Sequence, residues 1–182
     1  MSAAHEGLAV SAWVQRWSHL VPAGARVLDV ACGSGRHLRW FAQRSAQVTG
    51  IDRDAEALAP LHAFGEMIAA DIEAGPWPLA GRRFDAVVVT NYLWRELLPT
   101  LVESVGAGGV LIYETFAQGN QSVGKPSNPA FLLRPSELLG AVTGLRVVAY
   151  EDGFLEAPAR FVQRVVAVRE VAANPSPVAY PL

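Results

Sequence analysis

Two spacings of apolar residues alternate along most of the chain. Short continuous apolar runs are typical of strands buried on both faces, and they occur at 26–31, 46–52, 66–70, 84–90 and 109–115. Apolar residues at helical spacing fall between or before these runs, at 8–20, 34–44, 54–64 and 94–105. Asp54 is suited to cap the third helix and Gly65 to end it. This alternation predicts a mainly parallel sheet with helices on both faces.

The last third of the chain has a different pattern. Residues 117–130 are rich in Gly, Asn, Ser and Pro without periodicity, which predicts a long loop. Arg134 then starts a helix, with Pro135 in its first turn. Apolar runs at 145–150 and 161–168 predict an antiparallel pair. The predicted fold class is therefore α/β, with a Rossmann-like, doubly wound and mainly parallel seven-stranded sheet that ends in an antiparallel C-terminal hairpin.

The length of the chain predicts one domain. A single α/β domain commonly has about the size of this chain of 182 residues, and we expect it to occupy 1–172. Its first part, 1–24, contains the N-terminal helix, which could fold over a bound ligand. The tail 173–182 contains three prolines and is expected to be extended or disordered.

The densest chemical signal lies at 27–36. An apolar strand carries Asp29 near its end, and Gly33 and Gly35 follow in a turn that leads into a helix. Glycine lets a ligand approach backbone N–H groups closely because it has no Cβ. About one βαβ unit later, a second apolar run ends in Asp52, where a carboxylate can accept both hydroxyls of a ribose. The pattern predicts a nucleoside site at this edge of the sheet.

The turn departs from the pattern of dinucleotide sites. That pattern has a third small residue after the two glycines, and Leu38 stands at this position. A carboxylate at Asp29 would oppose a pyrophosphate but would suit a cationic amino acid. A nicotinamide-linked reductase is the structural competitor, because it has the same strand–glycine–helix geometry. The sequence has no Tyr-x-x-x-Lys pair to support it.

These residues resemble the first motif of the class I S-adenosyl-L-methionine (AdoMet)-dependent methyltransferases. The resemblance continues through Asp52, the pair Asp71 and Ile72, and the apolar runs at 84–91 and 108–114. It implies AdoMet as the cofactor, which leaves as S-adenosyl-L-homocysteine (AdoHcy). Within the class, the compact chain is similar to small bacterial single-domain methyltransferases of the tellurite-resistance and thiopurine types.

The resemblance also implies which residues hold the cofactor. Asp52 would bind the ribose, and Asp71 and Ile72 would lie against the adenine. Arg36, at a helix N-terminus, would favour the carboxylate of the methionine end. The full predicted cofactor-binding set is Trp13, Asp29, Ala31, Gly33, Gly35, Arg36, Asp52, Arg53, Asp71, Ile72 and Asn91.

The catalytic residues stay unknown from the sequence. Methyl transfer is an in-line displacement, so a protein mainly supplies alignment and desolvation. The candidates are Asn91 and Tyr92 after the fourth strand and Glu114 at the tip of the fifth, and His37 is a further candidate for a general base. Tyr92 and Leu93 stand where amino methyltransferases of nucleic acids have two prolines, which argues against a base amino group as acceptor.

The charge of the acceptor is left open. If the acceptor is an anion, Arg95, Arg134 and Arg160 are candidate clamps. Tellurite or another chalcogen oxyanion is the acceptor that the tellurite-resistance relatives suggest. The loop 117–133 could cover the acceptor, because irregular loops of this length are often functional.

The composition limits the kinds of binding partner that are expected. A net charge of −2 gives no bulk attraction to nucleic acid, so a small-molecule acceptor is expected. The single cysteine, Cys32, and the lack of a signal-peptide or membrane-length apolar pattern favour a cytoplasmic location without membrane contact. The His and Cys spacings predict no metal site. A monomer or homodimer is expected.

Two functions therefore compete. The first is an AdoMet-dependent methyltransferase that acts on a small molecule. The second is a non-catalytic AdoMet- or AdoHcy-binding protein, which would act as a sensor or partner subunit and would need the same cofactor-binding residues.

Overall fold

The computed structural model describes residues 9–171 and 178–182. The predicted start of the N-terminal helix at Leu8 lies outside the described residues. The same holds for 1–8 and 172 of the predicted domain and for 173–177 of the predicted tail.

Seven strands form one sheet in the order β3-β2-β1-β4-β5-β7-β6. The neighbours among β1 to β5 pair in parallel, whereas β7 runs antiparallel to both β5 and β6. The predicted fold class is confirmed. The strands are β1 Arg26–Val30, β2 Gln47–Asp52, β3 Gly65–Ala69, β4 Phe84–Thr90, β5 Val105–Phe116, β6 Arg146–Glu156 and β7 Ala159–Val168.

The strand order reverses between β1 and β4, and ligands of open α/β sheets bind at such a point, beyond the carboxyl ends of the strands. The register sets which residues meet there. Val30 pairs with Ile51 on one side and with Val89 on the other. The residues that follow these three strands therefore emerge at the same edge of the sheet.

Each face of the sheet is covered by its own hydrophobic core. Successive residues of β4 alternate between the two cores, with Val87 and Val89 on one face and Ala86 and Val88 on the other. This alternation follows from the two-residue period of a strand. The first core contains residues from α4 and α5, and the second contains residues from α1, α2 and α3. The helices are α1 Ala12–Trp17, α2 Arg36–Ala42, α3 Ala55–Leu58, α4 Leu98–Ser104 and α5 Glu137–Ala141.

The helices are shorter than the hydrophobic pattern predicts. Single 3₁₀ turns extend α1 and α3 and precede α4, because the ends of these segments tighten rather than continue as α-helix. Asp54 caps α3 as predicted, with its carboxylate accepting from two backbone N–H groups. Gly65 does not end that helix, since it is the first residue of β3. No helix among the described residues is long and apolar enough to cross a membrane.

Two further boundaries correct the sequence prediction. The strand β5 begins four residues earlier than predicted because Val105 pairs with Phe84, and an irregularity in the register follows. Gly108, at φ +76°, lies within this irregular part of the strand. Pro135 lies outside the first turn of α5, which begins at Glu137 after the N-cap Ser136.

The end of the chain packs against the first helix and the sheet. Tyr180 is half-buried against the second core, and the Arg146 guanidinium lies 5.2 Å from the centre of its ring. An imidazole nitrogen of His19 lies 3.1 Å from the carbonyl oxygen of Pro181. Residues 178–182 therefore lie against the domain without forming a helix or strand.

The close approach of the Val48 carbonyl to Gly65 gives a test of the packing between β2 and β3. A Cβ added at Gly65 would lie 2.1 Å from the Val48 carbonyl oxygen, so Gly65→Ala must displace β3 from β2. We expect this variant to lower the free energy of unfolding by about 2 kcal/mol, measured by urea denaturation. Gly153→Ala is the control, because a Cβ there meets nothing within 4 Å. Equal stability of the two variants would contradict this packing.

Candidate functional site

The turn between β1 and α2 has a left-handed backbone at three positions. Ala31, Gly33 and Gly35 have φ values of 53°, 51° and 73°. A Cβ at Gly35 would lie 2.5 Å from a methyl carbon of Leu61, so packing as well as conformation requires glycine there. A Cβ at Gly33 would meet nothing within 4 Å. The turn thus leaves open space beside Gly33.

The Asp52 carboxylate fixes this turn to the end of β2. One of its oxygens accepts a hydrogen bond from the Gly33 N–H at 2.7 Å, and the other accepts from the Asp54 N–H at 3.0 Å. These bonds hold the carboxylate in one orientation. Each oxygen keeps a further lone pair for a ligand.

Five of the predicted cofactor-binding residues line one cavity at this edge. The cavity has a volume of about 300 Å³, which lies at the lower end of the range for small-molecule sites, about 300–1,000 Å³. Asp71 shapes its wall, because its carboxylate accepts from the Glu73 and Ala74 N–H groups at 3.0 and 3.1 Å. We call this space the β1–β2 cavity. Its lining consists of Ala31, Asp52, Arg53, Ala70, Asp71, Ile72, Glu73, Tyr92 and Phe131.

Asp29 lies beneath the turn, fully buried. Among the described residues, its Oδ2 atom has no hydrogen-bond partner. Burial raises the pKa of Asp29 to about 8, and the Asp52 charge adds to this shift, whereas Arg36 and the Leu38 N–H oppose it. The carboxyl group is therefore mainly protonated at neutral pH, and an added cation would favour its ionised form.

Arg36 is already bonded within the chain. Its guanidinium donates to the Ala9 carbonyl at 3.1 Å and to the Thr90 hydroxyl at 3.4 Å. Burial lowers the pKa of Arg36, whereas the charges of Asp29 and Glu114 oppose this shift. The structure thus places this predicted residue over the turn, held against the start of the described chain.

His37 is not suited to act as a general base. Burial and the nearby Arg36 charge lower the pKa of His37 to about 3. Its Nε2 accepts a hydrogen bond from the Ser11 N–H at 3.2 Å, and its Nδ1 lies 3.5 Å from the Thr90 hydroxyl. The neutral ring therefore joins the first turn of α1 to the end of β4.

Trp13 is placed in the core rather than in the β1–β2 cavity. Its side chain is buried, and its indole N–H donates to the Val165 carbonyl at 3.4 Å. The Arg164 guanidinium lies 4.8 Å from the centre of the ring. The Trp13 side chain therefore packs in the second core.

Glu114 occupies a buried ionic cluster instead of an open site. Its carboxylate is 1% exposed and lies 3.6 Å from Arg160 and 3.2 Å from Arg164. The Ser11 hydroxyl donates to it at 2.9 Å. Arg164 is also paired with Glu151. We call these five residues the Glu114 cluster, and they join α1 to β5, β6 and β7.

The other two arginines predicted as anion clamps are also engaged. Arg95 donates to Glu137 at 2.6 Å and to the Ala130 and Leu132 carbonyls at 2.7 and 2.9 Å. Arg134 lies 4.0 Å from Glu137. These contacts fix the loop 117–133 to α5.

A second cavity of about 220 Å³ adjoins the first. Two catalytic candidates, Asn91 and Tyr92, line it, and their backbone is fixed by two hydrogen bonds. The Asn91 N–H donates to the Glu114 carbonyl at 2.9 Å, and the Tyr113 hydroxyl donates to the Tyr92 carbonyl at 2.8 Å. We call this space the β4–β5 cavity. Its lining consists of Glu73, Asn91, Tyr92, Leu93, Thr115, Phe116, Pro126 and Phe131.

Sequence reasoning missed Glu73 and Phe131, which line both cavities. Glu73 follows the predicted Asp71 by two residues, so its position beside the site could have been inferred. Phe131 belongs to the loop 117–133, which was expected near the acceptor. Nothing local in the sequence shows that this particular aromatic residue lines the two cavities.

A larger cavity lies elsewhere. It has about 700 Å³ and is lined by residues at the amino ends of the strands, among them Arg26, Gln47, Gly65 and Phe84. Ligands of doubly wound sheets bind at the opposite, carboxyl ends. Within residues 9–171 and 178–182, no three His, Cys, Asp or Glu side chains are grouped as metal ligands.

Comparison with known proteins agrees with this geometry. Residues 27–107 match the family model of the methyltransferase domain. The chain is 37% identical over 107 residues to the ubiquinone biosynthesis O-methyltransferase of Burkholderia multivorans, covering 56% of this chain and 44% of that protein. It is 34% identical over 139 residues to the malonyl-[acyl-carrier protein] O-methyltransferase of Enterobacter lignolyticus, covering 67% and 54%.

The fold has matches among solved structures. The structure of TehB from Haemophilus influenzae superposes with a TM-score of 0.73 and 20% identity, covering 91% of this chain and 64% of that one. At this level of sequence identity, the likeness shows a shared fold and nothing more. The chain spans about half the length of the curated relatives that it matches.

The Glu114 cluster gives a testable consequence. Glu114→Gln removes the buried charge that neutralises Arg160 and Arg164, and we expect the free energy of unfolding to fall by about 3–5 kcal/mol. Urea denaturation measures this loss. Glu66→Gln is the control, because it breaks the exposed pair with Arg82, which is expected to cost below about 1 kcal/mol. A Glu114→Gln effect as small as the control would refute a structural role.

Proposed function

We propose that the chain is a class I AdoMet-dependent methyltransferase, which its fold and the match of residues 27–107 to the methyltransferase domain support, and that it transfers a methyl group from AdoMet to a small molecule. The fold class that the sequence predicts is confirmed. The activity of this chain itself is our proposal. The observation that carries it is the β1–β2 cavity, which joins five predicted cofactor residues beside the glycine turn.

The residues fit the two ends of AdoMet. Asp52 offers a fixed carboxylate for the ribose hydroxyls. Asp71 and Ile72 line the same cavity and suit the adenine. The buried Asp29, with one unpartnered oxygen, suits the ammonium group of the methionine end.

AdoMet supplies an activated methyl group on a sulfonium and leaves as AdoHcy. The protein then has to bind and orient AdoMet and the acceptor. Alignment of this kind can lower a barrier by about 7–11 kcal/mol. Asn91 lines the β4–β5 cavity and Tyr92 lines both cavities. Their backbone is held by Glu114 and Tyr113. We assign Asn91 and Tyr92 to positioning the acceptor. Glu114 is assigned to the ionic cluster rather than to proton transfer.

The acceptor is proposed to be a small molecule, as the sequence predicts. The curated relatives are named O-methyltransferases, which supports an acceptor oxygen or a comparable nucleophile. One catalytic domain over 1–172, a cytoplasmic location, and a monomeric or homodimeric state without nucleic acid are also part of the proposal.

The first experiment is calorimetric titration with AdoMet, AdoHcy, NADH and NADPH. We expect AdoMet and AdoHcy alone to bind, because the unpartnered oxygen of the buried Asp29 suits an ammonium group, which nicotinamide cofactors lack. Asp52→Ala should weaken AdoHcy binding by about 10- to 100-fold, since a charged hydrogen-bond partner of the ribose is lost, a cost of about 1.5–3 kcal/mol. Glu56→Ala, which removes an exposed carboxylate nearby, is the control. Binding of a nicotinamide cofactor instead would overturn the proposal.

The raised pKa of Asp29 gives a second, independent prediction. The folded-state pKa of about 8 lies above the ordinary value, so the free protein holds this proton at pH 7. A bound ammonium group favours the ionised form, and binding should therefore release up to about one proton. Calorimetry in phosphate and in Tris at pH 7 measures this release.

The release should disappear above about pH 9.5, where Asp29 is already ionised, and in Asp29→Asn at any pH. Proton release from Asp29→Asn equal to that of the unaltered protein would place the ammonium group elsewhere.

The non-catalytic alternative predicts the same binding. Formation of AdoHcy in the presence of an acceptor separates the two functions, because a sensor or partner subunit would bind AdoMet without turnover.

A further inference from the structure

We propose that the β4–β5 cavity is the acceptor site and that it takes an uncharged or cationic small molecule with an apolar body, whose O–H or N–H group is bonded by the Glu73 carboxylate. This inference rests on the proposed function and names the substrate class of the same site. It excludes an oxyanion as the preferred acceptor.

The two cavities are adjacent. Glu73, Tyr92 and Phe131 line both of them, so a molecule in the β4–β5 cavity would lie beside a nucleoside in the β1–β2 cavity. Methyl transfer requires such a neighbour, because the reacting atoms must come within about 3–3.5 Å. The smaller volume, about 220 Å³, suits a compact acceptor.

The charge of the β4–β5 cavity is negative. Glu73 is its one charged lining residue within the described part of the chain, and the other polar groups belong to Asn91, Tyr92 and Thr115. Burial and the charges of Glu73 and Asp71 raise the pKa of Tyr92, so its hydroxyl stays protonated. An anionic acceptor would meet a carboxylate there with no lining cation to offset it.

The cations once considered as clamps are committed elsewhere. Arg95 and Arg134 pair with Glu137, and Arg160 pairs with the buried Glu114. Lys125 is exposed and is not among the residues that line the cavity. None of these four cations lines the cavity, so a carboxylate or oxyanion there would have no cation among the described residues of its walls.

The remaining walls are apolar. Leu93, Phe116, Pro126 and Phe131 surround the space, and Phe131 is 43% exposed. An exposed aromatic ring that lines two adjoining cavities is suited to contact an acceptor's ring or aliphatic body. These walls favour burial of an apolar group over a hydrated ion.

The chemistry balances without a further reactant. For a hydroxyl acceptor, the oxygen forms a bond to the methyl carbon, and the carbon–sulfur bond breaks with its electron pair left on sulfur. The acceptor's proton passes to the Glu73 carboxylate. Glu73 is exposed at its outer side, so the proton can leave to water.

Three probes of one shape test the charge preference. p-Cresol is neutral, tyramine is cationic and 4-hydroxyphenylacetate is anionic at pH 7, and all carry the same phenol. AdoHcy binding is measured first by calorimetry, and failure there would refute the proposed function itself. Each probe is then titrated into the protein saturated with AdoHcy.

We expect p-cresol and tyramine to bind at least tenfold more tightly than 4-hydroxyphenylacetate. Glu73→Gln, also saturated with AdoHcy, should reduce the tyramine preference over 4-hydroxyphenylacetate by about tenfold. Glu103→Gln is the matched control, because it removes an exposed carboxylate that lines neither cavity. It should leave the preference unchanged.

Three results would overturn the inference while leaving cofactor binding intact. The first is binding of the anionic probe as tight as that of the other two. The second is a charge preference unaltered in Glu73→Gln, or altered equally in Glu103→Gln. The third is no binding of any probe at millimolar concentration to the AdoHcy-saturated protein.

Discussion

A carboxyl group buried in the middle of a parallel sheet is costly unless something compensates its charge, and the site is arranged around this constraint at Asp29. The group lies in β1 between β2 and β4, and its Oδ2 has no partner among the described residues. Burial keeps it mainly protonated, so the free protein tolerates it as a neutral acid. A cationic ligand group would make the ionised form favourable. The burial of Asp29 thus makes the site selective for a ligand with a positively charged end.

The surroundings of Asp29 keep this arrangement rigid. The turn above it depends on glycine at position 35, because a Cβ added there would clash with Leu61. It also depends on the hydrogen bond from the Gly33 N–H to Asp52. On the far side, the Glu114 cluster fixes α1 against β5 and β7. Its pairs are buried, so their main effect is to specify one geometry rather than to add stability. The space left between these fixed parts is the pair of adjoining cavities.

Much of the fold follows from local pattern, and the parts that do not follow depend on distant contacts. The βαβ alternation and the Asp52 position are visible in the sequence because both belong to one local unit. The partnership of Ser11 with Glu114 is not visible, since 103 residues separate them and a strand-end acid gives no sign of its partners. Trp13 was expected at the cofactor because the resemblance implied an N-terminal helix folded over the ligand. Its indole instead faces β7, where the Val165 carbonyl accepts its N–H.

The site likewise has one half that could be predicted from the sequence and one half that could not. The nucleoside half carries a sequence motif, because glycine turns and strand-end acids recur at fixed spacing. The acceptor half is assembled from Glu73, Tyr92, Thr115 and Phe131, which lie on separate connections of the sheet. Arginines that could clamp an anion are close in the sequence to these residues. Their ion pairs with Glu137 and Glu114 become apparent only in the folded chain.

The central claim is that the β1–β2 cavity holds the nucleoside of AdoMet, and a crystal structure of the protein with AdoHcy tests it most directly. We predict the adenine beside Ile72 and Asp71, and both ribose hydroxyls within about 3 Å of the Asp52 carboxylate. The ammonium group should lie over Asp29. AdoHcy bound instead at the amino ends of the strands, in the cavity beside Arg26 and Gly65, would contradict the account.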